Sequence, residues 1–111
     1  AGIDAISMMP VPEWADTTHW LSCLTLDSNR SKATPEEVWK ALEAENIESR
    51  PLWKPMHLQP LFASAEAVGG DVSEGLFRRG LCLPSGANLS AEDQARICGI
   101  IAKTVTGENG G

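Results

Sequence analysis

Arg50, Trp53, Lys54 and His57 lie close together in the segment Arg50-Pro51-Leu52-Trp53-Lys54-Pro55-Met56-His57-Leu58-Gln59-Pro60. A guanidinium and an ammonium can hold an anionic group. An indole offers a flat face to a ring. An imidazole can donate or accept a proton near neutral pH. Together they suit a phosphorylated, base-containing ligand. From Pro51 to Ala65 there is no Asp or Glu, although the whole chain carries net charge -6. Pro51, Pro55 and Pro60 each fix φ and remove a backbone donor, so no helix or central strand can run through the segment. We read it as a rigid, locally cationic loop able to hold an anionic ligand. The plainer reading is a proline-stiffened surface connection with Trp53, Leu58, Leu61 and Phe62 tucked into the core.

Other candidates for chemistry are weaker. His19 and Cys23 are four residues apart, but on a strand that separation is about 13 Å. Two ligands of one ion must each lie ~2.0–2.3 Å from it, so no metal site is expected. Ser85 stands between Pro84 and Gly86, but Leu83 occupies the place of the first glycine of a G-x-S-x-G turn. A turn serine at a strand end fits better. Gly69, Gly70 and Gly75 are too sparse for a phosphate loop and have no lysine in the required place. Cys23, Cys82 and Cys98 are an odd number, widely spaced and each flanked by apolar residues. They read as three buried, reduced thiols in a cytoplasmic protein.

The chain has 111 residues, 42% hydrophobic and 22% charged, which suits one domain around one core. The acidic balance argues against duplex nucleic acid as a partner. No apolar run approaches the roughly 20 residues needed to span a bilayer. The start, Ala1-Gly2-Ile3-Asp4, is not a secretory signal, and without an initiator Met it reads as processed or as the middle of a longer protein.

The elements that must position the loop are legible in part. Residues 1–18 read as an irregular lead-in, 19–105 as the folded domain and 106–111 as a flexible tail. Trp20 to Leu26 reads as a strand followed by a turn. Thr34-Pro35-Glu36-Glu37 starts a helix, with Thr34 as cap and Glu37 completing a capping box. Val38 and Leu42, flanked by Trp39, form its apolar stripe, Glu36 and Lys40 an i,i+4 pair, and Asn46 a left-handed exit. Ile47 to Arg50 reads as a short strand. Leu61 to Val68 reads as a short helix broken by Gly69-Gly70, and Val72 to Arg79 as another stopped by Gly80. Leu81 to Leu83 reads as a buried strand. Ser90 begins the last helix, whose stripe is Ala91, Gln94, Ile97, Cys98, Ile101 and Val105. The expected fold is α+β, a two-layer α/β sandwich in which helices cover one side of a small sheet.

The residues Asn46 to Pro60 resemble the C-terminal domain of the DegT-type sugar aminotransferases, fold-type I enzymes dependent on pyridoxal phosphate. The resemblance continues through Trp20-Leu21, Val72-Ser73-Glu74-Gly75-Leu76-Phe77, Arg79-Gly80-Leu81-Cys82-Leu83-Pro84-Ser85-Gly86 and Leu89-Ser90-Ala91-Glu92-Asp93, most of residues 19 to 103. The tryptophan-lysine form of the loop is most similar to the subgroup acting on UDP-linked 4-keto-6-deoxy amino sugars, of the bacillosamine type. That subgroup often has an aromatic residue where this chain has Ala67. The resemblance implies transfer of an amino group from glutamate to the C4 ketone of a UDP-sugar in a homodimer. It places the Schiff-base lysine in a large N-terminal domain, so Lys32, Lys40, Lys54 and Lys103 do not match it. This chain alone is then expected to bind no cofactor, to hold no catalytic residue and to be inactive. Arg50, Trp53, Lys54 and His57 would line the substrate side: His57 meeting the sugar, Arg50 and Lys54 the diphosphate or an acidic group, and Trp53 packing against the ligand. The alternative is a non-enzymatic binding or assembly module, or a detached cassette product.

Overall fold

The computed structural model describes residues 3–18, 20–86 and 88–107. Two helices and the inner face of a four-stranded antiparallel sheet enclose the core. The strands are β1 (Ile6–Met8), β2 (Ser22–Leu26), β3 (Arg50–Pro51) and β4 (Gly80–Leu83), in the order β1-β2-β4-β3. The register pairs Leu24 with Leu81 and Leu26 with Ile6 on one face. Cys23, Cys82 and Arg50 lie side by side on the other. Leu24, Leu26 and Leu81 pack against Val38 and Leu42 of α1 (Pro35–Ala44) and Ile97, Ile101 and Val105 of α3 (Ala91–Thr106). The third helix, α2 (Asp71–Arg79), contacts β2 and β4 and runs directly into β4.

Local chemistry explains most element ends. Thr34 and Glu37 form a reciprocal capping box at the start of α1, and Ser90 and Asp93 form another at α3. Lys40 lies 3.2 Å from Glu36 on the exposed face of α1. Asn46 adopts φ 60°; its amide reaches Glu43 O (2.9 Å) and that of Ile47 reaches Leu42 O (3.0 Å). This is a Schellman closure.

Three sequence expectations are revised. The stretch read as an irregular lead-in contains β1, too short for a period but held by pairing with β2. The strand expected at Ile47 to Arg50 is Arg50–Pro51, because the Ile47 amide already closes α1. Pro51 is tolerated there because β3 is an edge strand. The helix expected from Leu61 to Val68 is a 3-10 turn, Pro60–Phe62, preceded by another at Met56–Leu58. Leu61 and Val68 are exposed, so no packed apolar face sustains a helix. Gly80 ends α2 as expected, with an extended backbone, and it is also buried: a Cβ there would meet Leu52 and stand 2.7 Å from Leu76 O. Gly80 therefore permits a close approach of the loop to β4. Residues 108–111, most of the expected tail, and His19 of the rejected metal pair lie outside the described residues.

Candidate functional site

The two 3-10 turns give the proline loop its shape. Leu58 N donates to Pro55 O (3.0 Å), Gln59 N to Met56 O (3.1 Å) and Phe62 N to Gln59 O (2.9 Å). The Gln59 side chain returns to Lys54 O (3.2 Å) and ties the turn to its own entrance. Backbone bonds of this kind, with φ preset at each proline, leave little conformational freedom to lose on binding.

The four residues singled out from the sequence fall into two groups. Arg50 and Trp53 line an open cleft of about 960 Å³ between the β3 edge, the end of β4 and the start of α3. Neither Lys54 nor His57 lines it. Trp53 is 63% exposed and pairs with Trp20, their ring centroids 6.2 Å apart and the planes tilted by 42°. The two indoles form an apolar flank of the cleft. The plainer expectation that Trp53 and Leu58 pack into the core does not hold, since both are exposed.

Arg50 is not the uncompensated cation expected from the sequence. Its Nε and Nη2 donate to Glu48 Oε1 at 3.0 and 2.8 Å. Residues two apart in an extended segment point the same way, so Glu48 was a readable partner. Both side chains are about three-quarters exposed, so the pair contributes little stability. Across the cleft Arg96 donates to Glu45 O (2.9 Å) and Glu45 Oε2 (3.0 Å), holding the end of α1 to α3. Among the described residues the Lys54 ammonium has no carboxylate partner.

His57 makes the tightest polar contact of the loop. Its Nε2 lies 2.6 Å from Glu74 Oε1 in the first turn of α2. The side chains of His57 and Glu74 are 24% and 35% exposed. Seventeen residues of sequence separate the two, and no local pattern announced the pairing. Gly70 caps α2 at φ 108° and lies against the imidazole; a Cβ there would stand 2.8 Å from His57 Cε1 and 3.0 Å from Nε2. Glycine is required at this position on both counts.

Other polar groups nearby have structural duties. Ser85 Oγ accepts from Ser22 N (2.8 Å) and donates to Leu83 O (2.9 Å), consistent with a turn serine. Among the described residues Ser49 Oγ is buried without a hydrogen-bond partner. Cys23 and Cys82 face each other across β2 and β4 with their Sγ atoms 3.6 Å apart. Burial, then the hydrogen bond to Cys23, pushes the Cys82 thiol up to about 11. Cys98 is exposed, against the expectation of three buried thiols. It sits one residue past Ile97, off the Ile97-Ile101-Val105 stripe. No group of three or more His, Cys, Asp or Glu among the described residues could hold a metal ion. No helix among them is long and apolar enough to cross a membrane.

Comparison with known proteins gives this geometry a context. The model of the DegT/DnrJ/EryC1/StrS aminotransferase family matches residues 1–102. EpsN of Bacillus subtilis, whose name places it among the pyridoxal phosphate-dependent aminotransferases, is 42% identical over 103 residues, 89% of this chain and 26% of EpsN. GDP-perosamine synthase of Caulobacter vibrioides is 35% identical over 78 residues, 70% of this chain and 21% of that enzyme. The chain therefore spans about a quarter of the length of these relatives. The structure of DesV from S. venezuelae, solved with a ketimine intermediate, superposes with a TM-score of 0.76 at 22% identity over 93% of this chain and 27% of DesV. The superposition supports the fold, and the family match together with these relatives supports the lineage. This chain belongs to the DegT/DnrJ/EryC1/StrS aminotransferase family.

Proposed function

We propose that this chain is the C-terminal domain of an aminotransferase that moves an amino group from glutamate to the C4 ketone of a UDP-linked 4-keto-6-deoxy sugar. In this reading the enzyme is a cytoplasmic homodimer, and the domain forms the substrate-side wall of its active site. One observation carries the proposal: a proline loop held by its own backbone bonds, with His57 anchored while Trp53 and Lys54 stay exposed. His57 contacts the sugar, Lys54 and Arg50 face the diphosphate or an acidic group, and Trp53 packs against the ligand. For Arg50 this requires exchanging Glu48 for ligand oxygens, an inexpensive exchange for an exposed pair.

Pyridoxal phosphate, on which the family depends, needs a lysine for its aldehyde. No lysine lines the clefts among the described residues. Lys40 is paired with Glu36, and the Lys32 stem lies against Gly107. The residues of this chain alone do not fit the cofactor, and turnover rests with the full-length enzyme.

In the full-length enzyme, His57→Ala lowers turnover with the UDP-sugar while leaving the fold intact; unchanged kinetics overturn the role given to His57. A parallel assay with a GDP-linked sugar tests the nucleotide assignment. A second reading, a binding or assembly module, is favoured by the exposed Trp14, Trp20, Trp53, Leu61 and Val68. Calorimetric titration of the isolated chain separates the two: weak or absent binding of a UDP-sugar fits a partial site, and micromolar binding fits an independent module.

A further inference from the structure

Among the described polar contacts of the loop, the His57–Glu74 pair is the one that joins two separately stiffened elements. His57 sits in the Met56–Leu58 turn, held from one side by the Leu58 N to Pro55 O bond. Glu74 sits in the first turn of α2, where its own amide donates to Gly70 O at 3.0 Å. The backbone of Gly70 closes on the ring from a third side. The imidazole is therefore fixed in place and in rotation, with Nε2 directed at a carboxylate oxygen.

We infer that Glu74 is a positioning residue, which holds His57 in the tautomer that presents Nδ1 to the substrate. An ionised carboxylate accepts hydrogen bonds and donates none. At 2.6 Å the proton of the pair must then lie on Nε2. In the neutral imidazole the lone pair is left on Nδ1. Nδ1 has no hydrogen-bond partner among the described residues. It is the nitrogen left for a ligand, and in the neutral ring it is an acceptor. On the reading proposed above, on which this inference rests, the sugar group that His57 meets is a hydrogen-bond donor. A hydroxyl or an amino group satisfies it, and a ketone does not. Glu74 touches no substrate in this scheme; it acts through the ring.

Nitrogen chemical shifts test the tautomer without any substrate. The 15N-labelled chain, at a pH where the imidazole is neutral, is examined by long-range 1H–15N correlation, with His57→Ala assigning its signals apart from those of His19. The expected result is a pyrrole-type Nε2 and a pyridine-type Nδ1. Glu74→Ala moves the two nitrogens toward each other, and Glu74→Gln, which keeps an acceptor oxygen, restores the separation. A pyrrole-type Nδ1 in the native chain, or a Glu74→Ala spectrum unchanged at His57, overturns the inference. If Glu74→Ala fails to fold by its amide fingerprint, the native spectrum decides alone. In the full-length enzyme Glu74→Ala lowers kcat/KM on the order of tenfold to a hundredfold, as lost orientation does, and Glu74→Gln recovers much of it. The two readings fail separately. A wrong tautomer removes the role of Glu74 and leaves a His57 contact standing. Unchanged turnover in His57→Ala removes the contact and leaves the Glu74–His57 pair intact.

Discussion

Gly69 and Gly70 make a matched pair for measuring how tightly His57 is held. Both have positive φ, 71° and 108°, so alanine at either position carries the left-handed penalty, roughly 1–2 kcal/mol. Lower entropy of the unfolded chain offsets about 0.4–1 kcal/mol of that in both variants. They differ in what the new methyl meets. At Gly69 it meets nothing within 4 Å; at Gly70 it stands 2.8 Å from His57 Cε1 and 3.0 Å from Nε2. The ring must then shift and lengthen its bond to Glu74. A hydrogen bond to a charged group contributes about 1.5–3 kcal/mol, toward the lower end here because both side chains are partly exposed. Gly69→Ala should therefore cost about 1 kcal/mol, and Gly70→Ala about 1.5–2 kcal/mol more. Urea unfolding at constant slope reads the difference directly, and it corresponds to a Tm gap of about 5–10 °C in a domain of this size. In a Glu74→Ala background the extra cost at Gly70 should shrink, because the bond is already gone. Equal losses at the two glycines in the native background would refute the reasoning.

Three further outcomes follow from the geometry. The folded Cys82 thiol is raised to about 11 from 9.0, so the folded state keeps a proton that the unfolded chain releases. Stability from this group is intact below pH 9 and falls as pH rises through 9 to 11; thermal unfolding across that window should show the fall, blunted in Cys82→Ala. Alkylation of the native chain at pH 8 should modify Cys98 first and Cys82 last, as mass spectrometry of timed digests will show. Ser85→Ala leaves Ser22 N without its acceptor and should cost about 1–2 kcal/mol by urea unfolding, with the secondary structure unchanged.

What could be read from the chain depended on the range of the interaction. Thr34 with Glu37, Glu36 with Lys40, and the exit at Asn46 are contacts within four residues, and each is found where the pattern put it. The stripe Ile97-Ile101-Val105 was equally visible, but Cys98, placed in it at helical spacing from Gln94 and Ile101, is exposed at the edge of that face. β1 escaped notice because three residues have no period, and only β2 gives them a reason to be extended. In the site, the loop was conspicuous through its prolines, but its electrostatics were misjudged. Counting acids between Pro51 and Ala65 ignored Glu48 just before the loop and Glu74 beyond it. Glu48 could have been found from its spacing. Glu74 becomes a partner only when α2 folds back beside the Met56–Leu58 turn.

The strand order implies a way of dividing the molecule. β4 lies between β2 and β3, both of which precede it in the chain. Both pairings of β4 reach far back along the chain: Cys23 meets Cys82, and Arg50 of β3, the strand before it but separated by the proline loop and α2, also meets Cys82. A break near Ala65 would therefore leave a first piece with β1, β2, α1 and β3, open by one strand, and a second piece that supplies that strand together with α3. Neither piece can bury its apolar face alone, since Leu81 needs Leu24 and Val105 needs Val38. The two should reassociate as complementing fragments, and His57 and Glu74 would meet again only across that non-covalent join.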